Sequence, residues 1–154
     1  MRIYIFGCGR IGTCILDHLT ATKHEIIAID NNPEVIDQLN ETKDIMAICA
    51  DASNFHVIEE LNIAKADVVV ACTESNDLNL FICRVAGQLG AKYTIAQVRK
   101  PDYYAESLLQ LEKLFDVDHV YNPDLTTAEE IVSTLDFKSD SLIGLINTPS
   151  VMIL

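Results

Sequence analysis

Six short runs rich in β-branched residues, separated by segments with helical spacing, constrain this chain more than any other feature. The runs lie at 3–6, 25–29, 45–49, 67–71, 93–98 and 119–121. Helical segments fall near 10–21, 33–42, 54–62, 76–89, 102–114 and 124–137. In the fourth of these, Leu78, Phe81, Ile82, Val85 and Leu89 share one face, which predicts the stripe that packs on a sheet. Asn32-Pro33 reads as an N-cap followed by proline at the first helical position, and Thr127 with Glu130 has capping-box spacing.

Runs that are apolar throughout belong in a sheet covered on both faces. The expected fold is therefore α/β: a Rossmann-like, doubly wound, parallel six-stranded sheet with strand order 3-2-1-4-5-6. A chain of 154 residues holds one such domain. We place it at 1–137 and read 138–154 as a connector or tail, because Ser139-Asp140-Ser141 and Asn147-Thr148-Pro149-Ser150 interrupt the pattern before the apolar end.

The strongest local signal is Gly7-Cys8-Gly9-Arg10-Ile11-Gly12, a G-x-G-x-x-G directly after the first strand. Asp30, beside Asn31, closes the second strand 18 residues beyond Gly12. That spacing suits a carboxylate on a ribose 2′-hydroxyl. Gly7 permits the turn, Gly9 admits phosphates to the backbone, and Gly12 lets the helix approach the strand. The helix N-terminus then offers free N–H groups and a positive dipole end.

A second line does not use the motif. In a doubly wound sheet, ligands sit beyond the carboxyl ends of the strands. The residues there are Gly7, Asp30, Asp51, Thr73-Glu74, Arg99-Lys100 and Asn122, which predicts a polar crevice. Arg10, Arg99 and Lys100 concentrate positive charge there, although the chain has only 11 basic residues against 23 acidic ones. Asp51, in Asp51-Ala52-Ser53, has two readings: a contact to adenine or its ribose, or an N-cap for the third helix, a role open to Ser53 as well.

The net charge of −12 argues against a nucleic-acid binder and against a protein docked on anionic lipid, and with the lack of a helix-turn-helix it argues against a DNA-binding redox regulator. No apolar stretch approaches the roughly 20 residues of a membrane span, and strand-like sequence follows Arg2 directly, so a soluble cytoplasmic protein is expected. Cys8, Cys14, Cys49, Cys72 and Cys83 form no C-x-x-C pair. Each sits in an apolar run, as a small hydrophobe would in a reducing compartment. His18, His24, His56 and His119 have no metal-ligand spacing, and no metal site is expected. The nucleotide fold consumes nearly the whole chain, leaving no Tyr-x-x-x-Lys, nucleophile elbow or second region to place a substrate. A sensor is expected rather than an enzyme. The alternative is a small NAD-dependent oxidoreductase, or its cofactor-binding half, which would oxidise NADH with some acceptor.

The glycine loop, Ile29-Asp30, Ala50-Asp51-Ala52-Ser53, Val70-Ala71-Cys72-Thr73, Asn76-Asp77-Leu78-Asn79 and Ala96-Gln97-Val98-Arg99, in this order, resemble the RCK (KTN, regulator of potassium conductance) N-terminal domain of Trk/Ktr-type potassium-uptake regulatory proteins. The match runs from residue 2 to about 137. The resemblance implies a cytosolic regulatory subunit, at the inner face of the membrane through a potassium channel or transporter partner. It implies homodimers paired through the last helix, assembling into a ring, and a crevice that takes NAD(H) or ATP/ADP. Carried over by position, the residues at 7–12 hold phosphates and Asp30 holds ribose. Asp51 with Ala52, and Thr73 with Glu74, line the adenosine side, and Arg10 and Arg99 meet terminal phosphates. Leu61-Asn62 stands where the family commonly has Ala-Gly, and Asn62 is expected to take the left-handed cap conformation. Family members usually continue into a smaller C-terminal domain.

Overall fold

The computed structural model describes residues 1–99 and 105–146. Six parallel strands form one sheet: β1 (Arg2–Phe6), β2 (Glu25–Asp30), β3 (Met46–Cys49), β4 (Val68–Ala71), β5 (Thr94–Gln97) and β6 (His119–Tyr121). Their order is β3-β2-β1-β4-β5-β6, as the alternation predicts. β1 is central, pairing Ile5 with Ala28 of β2 and with Val70 of β4. The order reverses between β1 and β4, so the crevice of the fold opens at the end of β1.

The helices are α1 (Arg10–Leu19), α2 (Pro33–Thr42), α3 (Phe55–Glu60), α4 (Asn76–Gln88), α5 (Ala105–Phe115) and α6 (Pro123–Ile146), with a 3-10 turn at Ile63–Lys65. Residues Met1–Asn122 form one compact unit, and α6 belongs to a second, Pro123–Leu154. Leu16 of α1, fully buried, joins Ile3, Ile5, Ile26, Ala28 and Val70 in a cluster on one face of the sheet. Each leucine, isoleucine or valine among them contributes about 1.5–3 kcal/mol by leaving water. At the N-terminal ends of the strands, Asp67 accepts from the Arg2 N–H (2.7 Å) and from Lys92 Nζ (2.6 Å), while the Arg2 guanidinium grips Glu25. That end is closed by ion pairs, and the opposite end carries the turns.

Several local expectations need correction. α4 buries Asn79, Leu80, Ile82, Cys83 and Ala86, whereas Phe81 is exposed and Leu78, Val85 and Leu89 are half-buried. The stripe is displaced because a hydrogen-bonded asparagine and two small residues let the helix sit close to β5. Asn54, not Asp51 or Ser53, caps α3 by accepting from the His56 N–H. Thr127 lies inside α6, bonding back to the Pro123 carbonyl (2.8 Å), so it forms no capping box. α6 does not stop near 137 but continues through 138–146. Residues 100–104, with Lys100 and the expected start of the fifth helix, and 147–154 lie outside the described residues. Asn62 does adopt the left-handed conformation, with φ 58° and ψ 41°.

Candidate functional site

The site starts from the exit of β1. Gly7 N–H continues the ladder to the Ile29 carbonyl (2.9 Å), and the chain then turns with φ +92° at Gly7. A side chain there would lie 2.7 Å from the Thr73 nitrogen. A methyl at Gly12 would sit 1.9 Å from the Gly7 carbonyl oxygen, so α1 is seated directly on the loop. Gly9 has nothing within 4 Å of where a Cβ would stand. It is the N-cap of α1 and supplies no capping side chain. The first-turn N–H groups of α1 therefore lack an intrahelical acceptor, and the open side of Gly9 leaves them approachable by an anion.

Asp30 is tied to this loop from β2. Its Oδ2 accepts from the Cys8 N–H (2.7 Å) and its Oδ1 from the Asn32 N–H (2.9 Å). Each carboxylate oxygen has a second lone pair, so the group keeps acceptor capacity for a ligand hydroxyl. Asn32 in turn caps α2 through the Glu34 N–H. At the end of β3, Asp51 Oδ1 accepts from the Ser53 N–H (2.9 Å). The Ser53 N–H and hydroxyl hold the Asp51 carboxyl below its ordinary range, which keeps it an anion near neutral pH.

These turns enclose a cavity of about 430 Å³. Of the residues expected at the site, Gly7, Gly9, Asp30, Asn31, Asp51, Ala52, Thr73 and Glu74 line it. Five do not: Cys8 is buried in the loop and Gly12 in the first turn of α1, Ile11 is half-buried, Arg10 is exposed on α1, and Arg99 is half-buried at the exit of β5. Among the described residues the wall thus holds three carboxylates and no basic side chain. The expected concentration of positive charge is not in the wall, and Lys100 lies outside the described residues. A ligand for this wall must bring hydrogen-bond donors such as paired hydroxyls, and must carry any phosphate towards Gly9.

Phe6, Ile29, Asn32, Val35, Ala50, Cys72, Ser75 and Leu78 also line the cavity and were not expected there. The apolar ones come from strand ends and from the first turns of the next helices, positions that hydropathy assigns to the core. Asn32 and Ser75 had a visible signal, since each is an N-cap at the sheet's carboxyl edge.

The cysteines divide in two. Cys8, Cys72 and Cys83 are buried, and burial, the largest cause, pushes each thiol up to about 12. Cys14 and Cys49 are exposed, contrary to the expectation that all five pack as hydrophobes. A thiol must ionise to react, so at pH 8 brief iodoacetamide treatment is expected to modify Cys14 and Cys49 only, and all five after denaturation. Intact mass and peptide mapping check this. Labelling of Cys72 in the native protein would mean that the cavity floor opens. Among the described residues no cluster of His, Cys, Asp or Glu has the geometry of a metal site, and no helix is long and apolar enough to cross a membrane.

Three comparisons bear on identity. A "Trk system potassium uptake protein TrkA homolog" of Pyrococcus abyssi is 33% identical over 138 residues, covering 88% of this chain and 60% of the relative. The TrkA-N domain of the Escherichia coli inner membrane protein YbaL superposes with a TM-score of 0.74 at 16% identity, covering 87% of this chain and 96% of that one. The GsuK channel bound to NAD superposes with a TM-score of 0.64 at 22% identity, covering 77% of this chain and 21% of the channel. GsuK has also been solved bound to ADP. The chain spans 29% of the length of the TrkA protein of Vibrio alginolyticus and 60% of that of the Pyrococcus abyssi relative. The TrkA-N domain model matches residues 3–123, which takes in all six strands save Arg2 and the whole cavity wall, and the chain therefore belongs to the TrkA-N domain family.

Proposed function

We propose that this chain is a nucleotide-sensing regulatory domain: the cavity takes NAD(H) or ATP/ADP, and its occupancy controls potassium flux through a membrane partner. The observation that carries the reading is Asp30. Its carboxylate is held by the Cys8 and Asn32 N–H groups at the floor of the cavity, next to the uncapped start of α1. Hydroxyl recognition and phosphate recognition thus stand side by side, as a nucleoside phosphate requires. The relatives named for potassium uptake and the NAD- and ADP-bound GsuK structures support the partner and ligand classes.

Residues 7–12 would meet phosphate through backbone N–H groups, Asp30 with Asn31 would meet ribose, and Asp51, Ala52, Thr73 and Glu74 would flank the adenosine. Arg10 and Arg99 stand outside the cavity wall, so affinity in this reading rests on Asp30 and the helix end. A non-enzymatic role is supported by the curated relatives, which are named as potassium-uptake proteins. The assembled form would be a homodimer, or a ring of dimers, at the inner face of the membrane.

Calorimetric titration with ADP, ATP, NADH and NADPH tests the reading. Binding by ADP, ATP or NADH on the order of micromolar is expected. NADPH is expected to bind at least about tenfold more weakly, because its 2′-phosphate would face Asp30. Absence of binding by all four would overturn the reading. Steady NADH oxidation with added acceptors would favour the oxidoreductase instead.

A further inference from the structure

The first turn of α4 carries two asparagines three residues apart, and both spend their side chains on neighbouring strand ends. Asn79 is fully buried. Its Oδ1 accepts from the Thr73 N–H (2.9 Å) and the Thr73 hydroxyl (2.6 Å). Its Nδ2 donates to the Thr73 carbonyl (3.0 Å) and to the Gln97 carbonyl (2.9 Å). Asn76 Oδ1 accepts from the Arg99 N–H (2.7 Å). The Gln97 side chain then accepts from the Tyr121 hydroxyl (3.2 Å), extending the chain of bonds to β6.

A side-chain amide has two N–H donors and two acceptor lone pairs, and Asn79 uses all four. Aspartate has no donor for the two carbonyls, and leucine has neither function. If the position served packing alone, an apolar side chain of the same volume would fill it without the desolvation cost of a buried amide. What the amide adds is a defined distance between the exits of β4 and β5. Thr73, at the first exit, is part of the cavity wall; Arg99, at the second, is not.

We propose that Asn79 and Asn76 are positioning residues of the candidate nucleotide site: together they clamp the Thr73 wall to the end of β5, so that the placement of Arg99 depends on that of Thr73. The role of the clamp in ligand binding rests on the nucleotide reading above, whereas the clamp itself is tested without any ligand.

The experiment is amide hydrogen exchange of the ligand-free chain by NMR, with the Val70 amide in the core of β4 as internal reference. Asn79→Leu is expected to speed exchange at both Thr73 and Arg99 by about 30-fold or more relative to Val70. Asn76→Ala is expected to release Arg99 alone, and Asn76→Asp, which keeps the acceptor oxygen, to restore it. Ile82→Ala is the control: it hollows the buried face of the same helix, lowers thermal stability, and takes no part in the clamp. It is expected to leave both ratios unchanged. Should Asn79→Leu fail to fold, Thr73→Val, which removes the hydroxyl bond to Asn79 together with two longer hydroxyl contacts to the Ser75 backbone, is expected to speed exchange at Arg99. Unchanged ratios in Asn79→Leu, unchanged Arg99 exchange in Thr73→Val, or equal release by Ile82→Ala would overturn the clamp.

A calorimetric arm with ADP then reads its consequence. Asn79→Leu is expected to weaken ADP about tenfold or more, and Ile82→Ala less than about twofold. Equal losses would reduce Asn79 to a structural residue. If the unaltered chain bound none of ADP, ATP, NADH and NADPH, the nucleotide reading would fall while the exchange ratios still decided the clamp.

Discussion

Gly12→Ala is expected to be the most damaging alanine substitution among the glycines at 7, 9, 12, 87 and 90. The new Cβ would lie 1.9 Å from the Gly7 carbonyl oxygen and 2.9 Å from its carbon, both backbone atoms, and 3.3 Å from the Cys72 sulfur. Backbone cannot rotate out of the way as a flexible side chain can. Either α1 lifts from the sheet, or the loop at 7–9 is driven off its path. Lifting α1 withdraws Leu16 from the cluster with Ile5, Ala28 and Val70. Moving the loop breaks the Gly7 bond to Ile29 and the Cys8 bond to Asp30. A loss of about 3 kcal/mol or more is expected, at or above the upper end of overpacking costs. Urea denaturation followed by circular dichroism measures it. Gly9→Ala is the matched comparison, because its Cβ meets nothing within 4 Å. It is expected to fold normally while impeding a ligand at the helix start. A Gly12→Ala protein as stable as the original would show that the loop is not seated as described.

Asp30→Ala comes second in expected effect, and it acts on stability and on binding together. In the folded chain the Cys8 and Asn32 N–H groups both lose their acceptor. Each donor left unsatisfied costs about 1–3 kcal/mol if water cannot reach it, and the half-buried site puts the cost towards the lower part of that range. On the proposed function, the ribose loses a charged acceptor, worth about 1.5–3 kcal/mol, or 10- to 150-fold in Kd. The discriminating quantity is selectivity. Removing Asp30 also removes the negative charge that opposes a 2′-phosphate, so the preference for NADH over NADPH should narrow even as both weaken. Calorimetry with the two cofactors separates the cases. An unchanged NADH/NADPH ratio would take Asp30 out of the ribose role and leave it as a brace for the loop.

Much of this architecture is legible in the chain itself. Strand runs of β-branched residues such as Ile26, Ile27 and Ile29 are buried on both faces, and a parallel sheet is the architecture that buries them. The glycine spacing at 7, 9 and 12 is equally local in origin, since a turn, an approach and a contact each forbid a side chain. Asn32-Pro33 starts α2 because the cap acts within a few residues, and the side chain indeed accepts from the Glu34 N–H. Asn62 likewise takes its left-handed conformation from local sterics. Where local rules competed, sequence patterns gave the wrong answer. Thr127 with Glu130 has the spacing of a capping box, yet α6 starts four residues earlier at Pro123. Asp51, Ser53 and Asn54 are all credible caps, and only the path of the chain after β3 selects Asn54.

The sequence by itself determined the class of the fold, its strand order and the edge of the sheet that carries the polar turns, because hydropathy period, connection handedness and turn chemistry all act over short stretches of chain. Tertiary structure alone decided which side chains meet at that edge. Arg10 and Arg99 share it in sequence order, but the direction of α1 and the exit of β5 leave them off a wall that is instead acidic. Asn79 is not in the apolar stripe expected for the fourth helix, yet it is fully buried because the exits of β4 and β5 converge on it with two donors and two acceptors. Hydrogen-bond partners that lie 6 and 18 residues away cannot be seen in a local pattern. They exist only once the sheet has brought those strand ends together.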